Sequence, residues 1–140
     1  MKKLIYLYLL LFLLACVTKP VEFVEESFDN GKPKTVRYYK DDSKLEMVKE
    51  ILYYENGNKR MEGSYQNNER TGKWSYWYQD GTIWSEGVYK DGVENGLKTV
   101  YHENGQKYYE GLLVDGKRTG LWNFWDKNGI LIKEINYNNN

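Results

Sequence analysis

Cysteine and histidine are almost absent from this chain of 140 residues, which has one of each, Cys16 and His102. A single cysteine cannot form a disulfide within the chain, so the fold must rely on its core and its backbone hydrogen bonds. One histidine and no second cysteine exclude the common zinc sites and a Cys–His nucleophile. The sequence also has no Gly-x-Ser-x-Gly elbow and no phosphate-binding glycine motif. We therefore expect a protein that is not an enzyme and that uses no metal or cofactor.

The chain also lacks an excess of charge of either sign, since it has 20 basic and 20 acidic residues. Nucleic-acid binding needs a concentrated positive surface, so this class of partner is not expected. Proline is rare, with two residues, whereas aromatic side chains make up 16% of the sequence. That share of aromatic residues supplies the apolar burial that disordered chains lack, and it predicts a folded domain.

Long hydrophobic runs are limited to the N-terminus, where the segment from Leu4 to Leu14 is apolar. Two lysines precede this run, which is shorter than the roughly 20 residues that a transmembrane helix needs. This pattern predicts a secretory signal over residues 1–15, followed by a tether over residues 16–26. An uncleaved membrane anchor is the alternative.

The segment Leu13-Leu14-Ala15-Cys16 resembles a bacterial lipobox, in which the signal is cut before the cysteine and the cysteine thiol is then acylated. The resemblance implies that Cys16 is a lipid attachment site, with palmitate or a similar chain, and that this lipid anchors the protein to a membrane. It also implies a place in the cell envelope, on the outer membrane or the cell surface. An ordinary signal peptide with an accidental cysteine is the alternative.

A repeat follows the signal and the tether. Four glycines recur at intervals of 24 positions, and each follows an asparagine or an aspartate: Gly57, Gly81, Gly105 and Gly129. An aromatic residue stands four positions before each of these glycines, and a glutamate stands five positions after each. A fixed period of this length indicates one supersecondary unit copied along the chain. Residues 27–140 are therefore expected to form one repeat domain of about four to five units.

Each unit has the composition of two β-strands. The segment from Lys73 to Tyr78 is rich in aromatic residues and has no proline, and the segment from Thr82 to Tyr89 is similar. The Asn-Gly and Asp-Gly steps predict tight two-residue hairpin turns with positive φ at both residues. Looser turns are expected at residues 67–68, 91–92 and 115–116. The predicted fold is all-β, an elongated antiparallel meander of repeated hairpins in a single sheet.

A two-residue turn fixes the register in which the two strands of each hairpin pair. It places Trp74 opposite Gly87, where the indole ring could cover bare glycine backbone. It also places apolar or aromatic residues opposite each other near most turns, whereas a bulge would shift these pairs by one residue. The predicted pairs are Tyr53–Arg60, Trp77–Trp84, Tyr101–Tyr108 and Trp125–Ile132.

The repeated segments resemble the bacterial variant of the membrane-occupation-and-recognition-nexus (MORN) repeat. The resemblance rests on the motifs Tyr-x-Asn/Asp-Gly, Glu-Gly-x-Tyr and Gly-x-Trp, found here at residues 54–57, 62–65 and 72–74. Members of that family fold as strings of hairpins that form an elongated sheet. Some are described as membrane-associated scaffolds, and some bacterial members are grouped as YwqK-type antitoxins. The resemblance therefore implies a protein-binding role.

Two sets of side chains are candidates for binding a protein or peptide partner. One is a strip of aromatic residues, which an unlayered sheet would leave partly exposed. The other is the glutamate column, which the repeat would align along one face, although Glu86 could also simply face Ser75 or a nearby lysine. We hypothesise a cell-envelope lipoprotein that acts as a binding or scaffold module, with an antitoxin or immunity protein as the alternative. The candidate residues are Trp77, Trp84, Tyr101, Tyr108, Trp125, Glu86 and Glu110.

Overall fold

The structure is a computed structural model that describes residues 19–139 as one open antiparallel sheet. Its strands are β1 (Val21–Ser27), β2 (Pro33–Tyr39), β3 (Met47–Tyr53), β4 (Lys59–Gln66), β5 (Glu69–Trp77), β6 (Ile83–Lys90), β7 (Val93–Glu94), β8 (Gly96–Tyr101), β9 (Lys107–Val114), β10 (Lys117–Trp125) and β11 (Leu131–Asn136). They run as a meander, in which β7 is a short strand beside β6, and β6 then pairs with β8. One turn of 3-10 helix, Tyr137–Asn139, follows β11. The predicted all-β single sheet is confirmed.

The sheet begins earlier in the chain than the sequence indicated. Residues 16–26 were assigned to a tether, but Val21–Ser27 is the edge strand β1 and pairs with β2. The ring of Phe23 packs edge-on against Tyr39 at 5.7 Å, and the Lys44 ammonium lies 3.9 Å from its centre, so β1 adds to the core. The predicted signal over residues 1–15 and the lipid site Cys16 lie outside the described residues.

The two classes of turn are exchanged relative to the prediction. At the Asn-Gly and Asp-Gly steps that end in Gly57, Gly81, Gly105 and Gly129 the hairpin has a three-residue loop, in which only the glycine has positive φ. In the loop that ends at Gly81 the amide of Tyr78 donates to the carbonyl of Thr82 at 2.8 Å, and Gly81 has a φ of 94°. A three-residue loop whose last residue is a glycine with positive φ is a common hairpin connection. The two-residue turns with positive φ at both positions are the ones expected to be looser, at residues 67–68, 91–92 and 115–116.

Each hairpin also has a bulge three positions after its glycine. Tyr76 pairs with Ser85 and Trp77 pairs with Ile83, so Trp84 is passed over in the ladder. The predicted pair of Trp77 with Trp84 is therefore wrong, because the longer loop shifts the register near the turn and the bulge restores it along the strand. The equivalent residues Arg60, Tyr108 and Ile132 are passed over in the same way, and Tyr53, Tyr101 and Trp125 pair instead with Lys59, Lys107 and Leu131.

The most deeply buried side chains are two tryptophans that lie over glycines of the preceding strand. Trp74 is 0% exposed and Trp122 is 1% exposed. Trp74 pairs with Gly87 as predicted, but its ring lies over Gly63 on the other side, where an added Cβ would overlap the indole. The indole N–H donates to the carbonyl of Ser64 at 3.2 Å. The prediction that this ring covers Gly87 is therefore wrong, and the face that carries these rings is here called the tryptophan face.

At Gly87 an ion pair takes the place of the tryptophan ring that covers Gly63. In the preceding unit the Arg70 guanidinium lies 4.2 Å from the centre of the Trp74 ring. One repeat later the same two positions hold Glu94 and Lys98, whose charged groups are 2.6 Å apart. These two side chains lie over Gly87, just as the Trp74 ring lies over Gly63. Each pair closes the sheet surface over a bare glycine, so this face is packed without a second layer.

Candidate functional site

The glutamate column forms a row on the face opposite the buried tryptophans, here called the carboxylate face. Glu86 lies between Ser75 and Thr99, and Glu110 lies between Thr99 and Asn123. Neighbouring strands are about 4.8 Å apart, so successive glutamates, two strands apart, are spaced by about 9.6 Å. The prediction that one face carries this column is confirmed.

Lysines on the same face neutralise the two candidate glutamates. The Lys73 ammonium is 2.5 Å from a Glu86 carboxylate oxygen, and the Lys107 ammonium is 2.7 Å from Glu110. The hydroxyl of Thr99 also donates to Glu110 at 3.0 Å. These carboxylates therefore already have partners within the sheet, as the structural interpretation of the column expects.

Glu62, at the start of the row, has two cationic partners. The ammonium groups of Lys49 and Lys59 lie 2.5 and 2.6 Å from its carboxylate oxygens. Burial acts to raise the pKa of Glu62, but the two ammonium groups outweigh burial and hold the pKa below its usual value. The pairs Lys49–Glu62 and Lys73–Glu86 join neighbouring strands, whereas Lys59–Glu62 and Lys107–Glu110 lie within a strand.

The predicted aromatic strip is divided between the two faces of the sheet. The carboxylate face carries three half-buried rings, those of Trp77, Tyr101 and Trp125. Trp77 comes two residues after Ser75 in the same strand, so both side chains point to this face, and the other two rings occupy the equivalent position in their units. There the Lys107 ammonium lies 5.6 Å from the Trp125 ring centre. The expectation of one continuous strip is therefore wrong.

Trp84 and Tyr108 lie on the tryptophan face, because each is a bulged residue. They are 45% and 44% exposed, yet neighbouring rings support them. Trp84 packs edge-on against Tyr76 at 6.0 Å and lies 6.3 Å from Tyr78, while Tyr108 lies 4.8 Å from the imidazole of His102. Rings that are held in place before a ligand arrives lose less conformational entropy when it binds.

Two shallow clefts lie side by side on the tryptophan face, next to the three-residue turns. The first has a volume of about 270 Å³ and the second a volume of about 440 Å³, and Trp84 lines both. Tyr54 and Arg60 of the first cleft correspond to Tyr78 and Trp84 of the second, one repeat later. The bulged residue is therefore the wall between neighbouring clefts. We call this pair of clefts the serrated groove, with the lining residues Tyr54, Arg60, Tyr76, Tyr78, Trp84, His102, Tyr108 and Tyr109.

Hydrogen bonds between units set the spacing of the clefts. The hydroxyl of Tyr54 donates to the carbonyl of Trp77 at 2.8 Å, and a ring nitrogen of His102 lies 3.0 Å from the carbonyl of Trp125. Tyr54, Tyr78 and His102 are not among the site residues that the sequence predicts. These three residues occupy the same position in successive repeats, and this shared position is the signal that could have identified them. Each of their side chains forms a hydrogen bond with a backbone carbonyl in the next unit.

Carboxylates stand on the turns of the three hairpins whose bulged residues form the walls of the groove. Glu55, Asp80 and Glu103 are exposed, and none forms an ion pair within residues 19–139. Burial raises the pKa of Tyr78, and the negative charges of Glu103 and Asp80 raise it further. Arg60 lines the first cleft, and Lys127 lines the second cleft together with Glu103.

Neither a metal cluster nor a membrane-spanning helix is found in the part of the chain that the structure describes. Residues 19–139 contain no group of three or more His, Cys, Asp or Glu side chains placed to hold a metal ion. Within the same residues no helix has the length and apolar character needed to span a bilayer.

Comparison with known proteins identifies the repeat. Residues 48–67, 70–91, 94–115 and 118–139 match the MORN repeat variant family. No curated protein matches the chain.

Solved structures give only distant matches. A mutant of the Staphylococcus aureus protein TarM, crystallised with fondaparinux, α-GlcNAc-glycerol and UDP, has 13% identity and a TM-score of 0.36 over 74% of this chain. A second TarM structure has 14% identity and a TM-score of 0.35 over 73% of this chain. The chain spans 21% of the length of each of these proteins.

Proposed function

The chain belongs to the MORN repeat variant family. We propose that it is a cell-envelope lipoprotein whose repeats bind a protein or peptide partner. The family match supports a repeat-based binding or scaffold module. The observation that carries the proposal further is the serrated groove, where exposed but supported rings flank clefts that recur with the repeat. Aromatic side chains held in this way are typical anchors of protein interfaces.

The groove is a better binding surface than the carboxylate face. Glu86 and Glu110 are paired with lysines, so a cationic partner would have to displace existing ion pairs to reach them. The walls Trp84 and Tyr108 leave nearly half of their surface uncovered, and covering them would remove apolar area from water. We therefore assign partner binding to these two residues of the predicted strip rather than to all seven candidates.

Attachment to the membrane is proposed from the sequence of the N-terminus. The lipobox-like segment before Cys16 supports acylation of that cysteine and a place on the outer membrane or the cell surface. Labelling cells with a palmitate analogue tests this directly. Label should be lost in the Cys16→Ser variant, and label that persists there would rule out the lipoprotein.

Partner binding is tested by crosslinking in intact cells followed by purification of the tagged chain. The variant Trp84→Ala with Tyr108→Ala should capture the main partner at least about tenfold less than the wild type, since each anchor contributes about 1–2 kcal/mol or more. The matched control is Val88→Ala with Leu97→Ala, two exposed apolar residues of the carboxylate face, which should capture normally. Equal capture by all three proteins would contradict the proposal.

The identity of the captured partner separates the scaffold from the antitoxin or immunity protein. A partner that arrests growth when expressed alone, and is neutralised by this chain, would favour the immunity role. A partner that is harmless alone would favour the scaffold.

A further inference from the structure

The walls of the serrated groove are regularly spaced because the repeat spaces them. Arg60, Trp84 and Tyr108 occupy the same bulge position in three successive hairpins. Equivalent positions lie two strands apart, which corresponds to about 9.6 Å along the sheet. A ligand that crosses the strands along the groove therefore meets a wall at each step of this length.

A polyproline II helix has nearly the same period. It rises about 3.1 Å per residue with three residues per turn, so equivalent side chains recur every 9.3 Å or so along one face. An extended β-strand, at about 3.3 Å per residue with alternating sides, repeats every 6.6 Å or so and would lose register with the walls at once. Proline-rich segments in other proteins bind grooves lined by aromatic residues because their preformed helix loses little entropy.

The charge of the groove adds a second constraint. Asp80 and Glu103 stand on the turns beside Trp84 and Tyr108, and neither has an ion pair within the described residues. A basic side chain once per helical turn would meet these carboxylates while the prolines enter the clefts. An acidic ligand would be repelled there.

We propose that the serrated groove binds a proline-rich, arginine-containing peptide segment in the polyproline II conformation, with one helical turn per hairpin. This rests on the proposed function, because it names the partner chemistry of the same groove. A segment of six residues spans the two clefts between Arg60 and Tyr108, since both lengths are about 19 Å.

The experiment titrates fluorescein-labelled nonapeptides with the full chain and measures fluorescence anisotropy. The probe (Pro-Pro-Arg) repeated three times should bind at least tenfold more tightly than (Gly-Ser-Arg) repeated three times, which has the same charge but no preformed helix. It should also bind at least tenfold more tightly than (Pro-Pro-Glu) repeated three times. Equal binding of the two arginine peptides would overturn the proposal, because affinity would then come from charge alone.

Variants locate the binding on the groove. Trp84→Ala and Tyr108→Ala should each weaken binding of the proline–arginine probe by fivefold or more, while the carboxylate-face control Leu97→Ala should bind as the wild type does. Thermal melts of each variant confirm that the fold persists, and Trp84→Phe, which keeps a ring on the wall, should retain most of the affinity. Loss of binding in the control alone, or no loss at either wall residue, would overturn the proposal.

Competition separates this inference from the proposed function. The proline–arginine peptide should displace the partner captured by crosslinking. A partner that depends on Trp84 but is not displaced leaves the binding module intact and refutes the polyproline occupant. Tight binding of a chitin oligosaccharide, or self-association that is lost in Trp84→Ala, with no binding of the proline–arginine probe, would likewise refute it.

Discussion

Substituting one glycine of the tryptophan face should reveal how the single sheet is held together. Gly63 has an ordinary backbone conformation, so alanine there adds no φ strain. The added methyl group would overlap the Trp74 ring, which is 0% exposed and is fixed by its hydrogen bond to the carbonyl of Ser64. Gly63→Ala should therefore destabilise the domain through a single clash.

The size of the effect follows from the two ways in which the clash can be relieved. Forcing extra atoms into a packed site costs about 1–3 kcal/mol. Displacing the indole entirely would lose most of its burial, which corresponds to about 3–5 kcal/mol for removal of a large aromatic side chain. We expect about 2–4 kcal/mol, or roughly 8–16 °C in melting temperature for a domain of this size.

The repeat provides a matched control at Gly87. A Cβ there would meet the ends of the Glu94 and Lys98 side chains, 2.8 Å from a carboxylate oxygen and 3.3 Å from a methylene, and flexible side chains can move aside. Gly87→Ala should cost less than about 1 kcal/mol, and both variants gain the same small stabilisation from a stiffer unfolded chain. Melting followed by circular dichroism compares them. If Gly63→Ala melts within 3 °C or so of Gly87→Ala, the covering of glycine by tryptophan is not what stabilises this face.

Three further predictions concern the turns, the ion pairs and the cation that covers a tryptophan. Gly81→Ala should cost about 1–2 kcal/mol because the residue has a φ of 94°, and an unchanged melting temperature would contradict the three-residue loop. The pKa of Glu62 is lowered in the fold, so its stabilising effect should be present above its unfolded pKa of about 4.5 and be lost as the pH falls through the folded value. Urea unfolding should accordingly separate Glu62→Gln from the wild type by more at pH 7 than at pH 3, and an equal difference at both would refute the ion pairs. Arg118 lies 4.4 Å from the ring centre of Trp122, and Arg118→Ala should lower stability by about 1 kcal/mol in the same assay, whereas Lys117→Ala, its exposed neighbour, should not.

The sequence was sufficient to predict the architecture because the same pattern of strands and turns recurs in four units. Strand chemistry between evenly spaced turn signals leaves little choice but a meander, and the body of each hairpin pairs as predicted, with Trp74 opposite Gly87. The turn class was not predictable from Asn-Gly alone. That dipeptide suits a two-residue turn, but Gly57 and its equivalents instead serve as the left-handed residue of a longer loop.

The candidate site was predicted only in part, again because the class of the turns was not predicted. A longer loop and a bulge move Trp84 and Tyr108 to the tryptophan face, away from Trp77. Strict strand alternation cannot anticipate this, since a bulge breaks the period of two at one residue. The glutamate row was predicted correctly because Glu86 lies in the part of the strand where the alternation is undisturbed.

The most direct test of the account places a photoreactive phenylalanine analogue at position 84 or at position 97 and irradiates living cells. Both positions are exposed and carry apolar side chains, but they lie on opposite faces of the sheet. We expect a crosslinked partner from position 84 and none from position 97. A partner crosslinked only from position 97 would contradict the claim that this protein binds through its serrated groove.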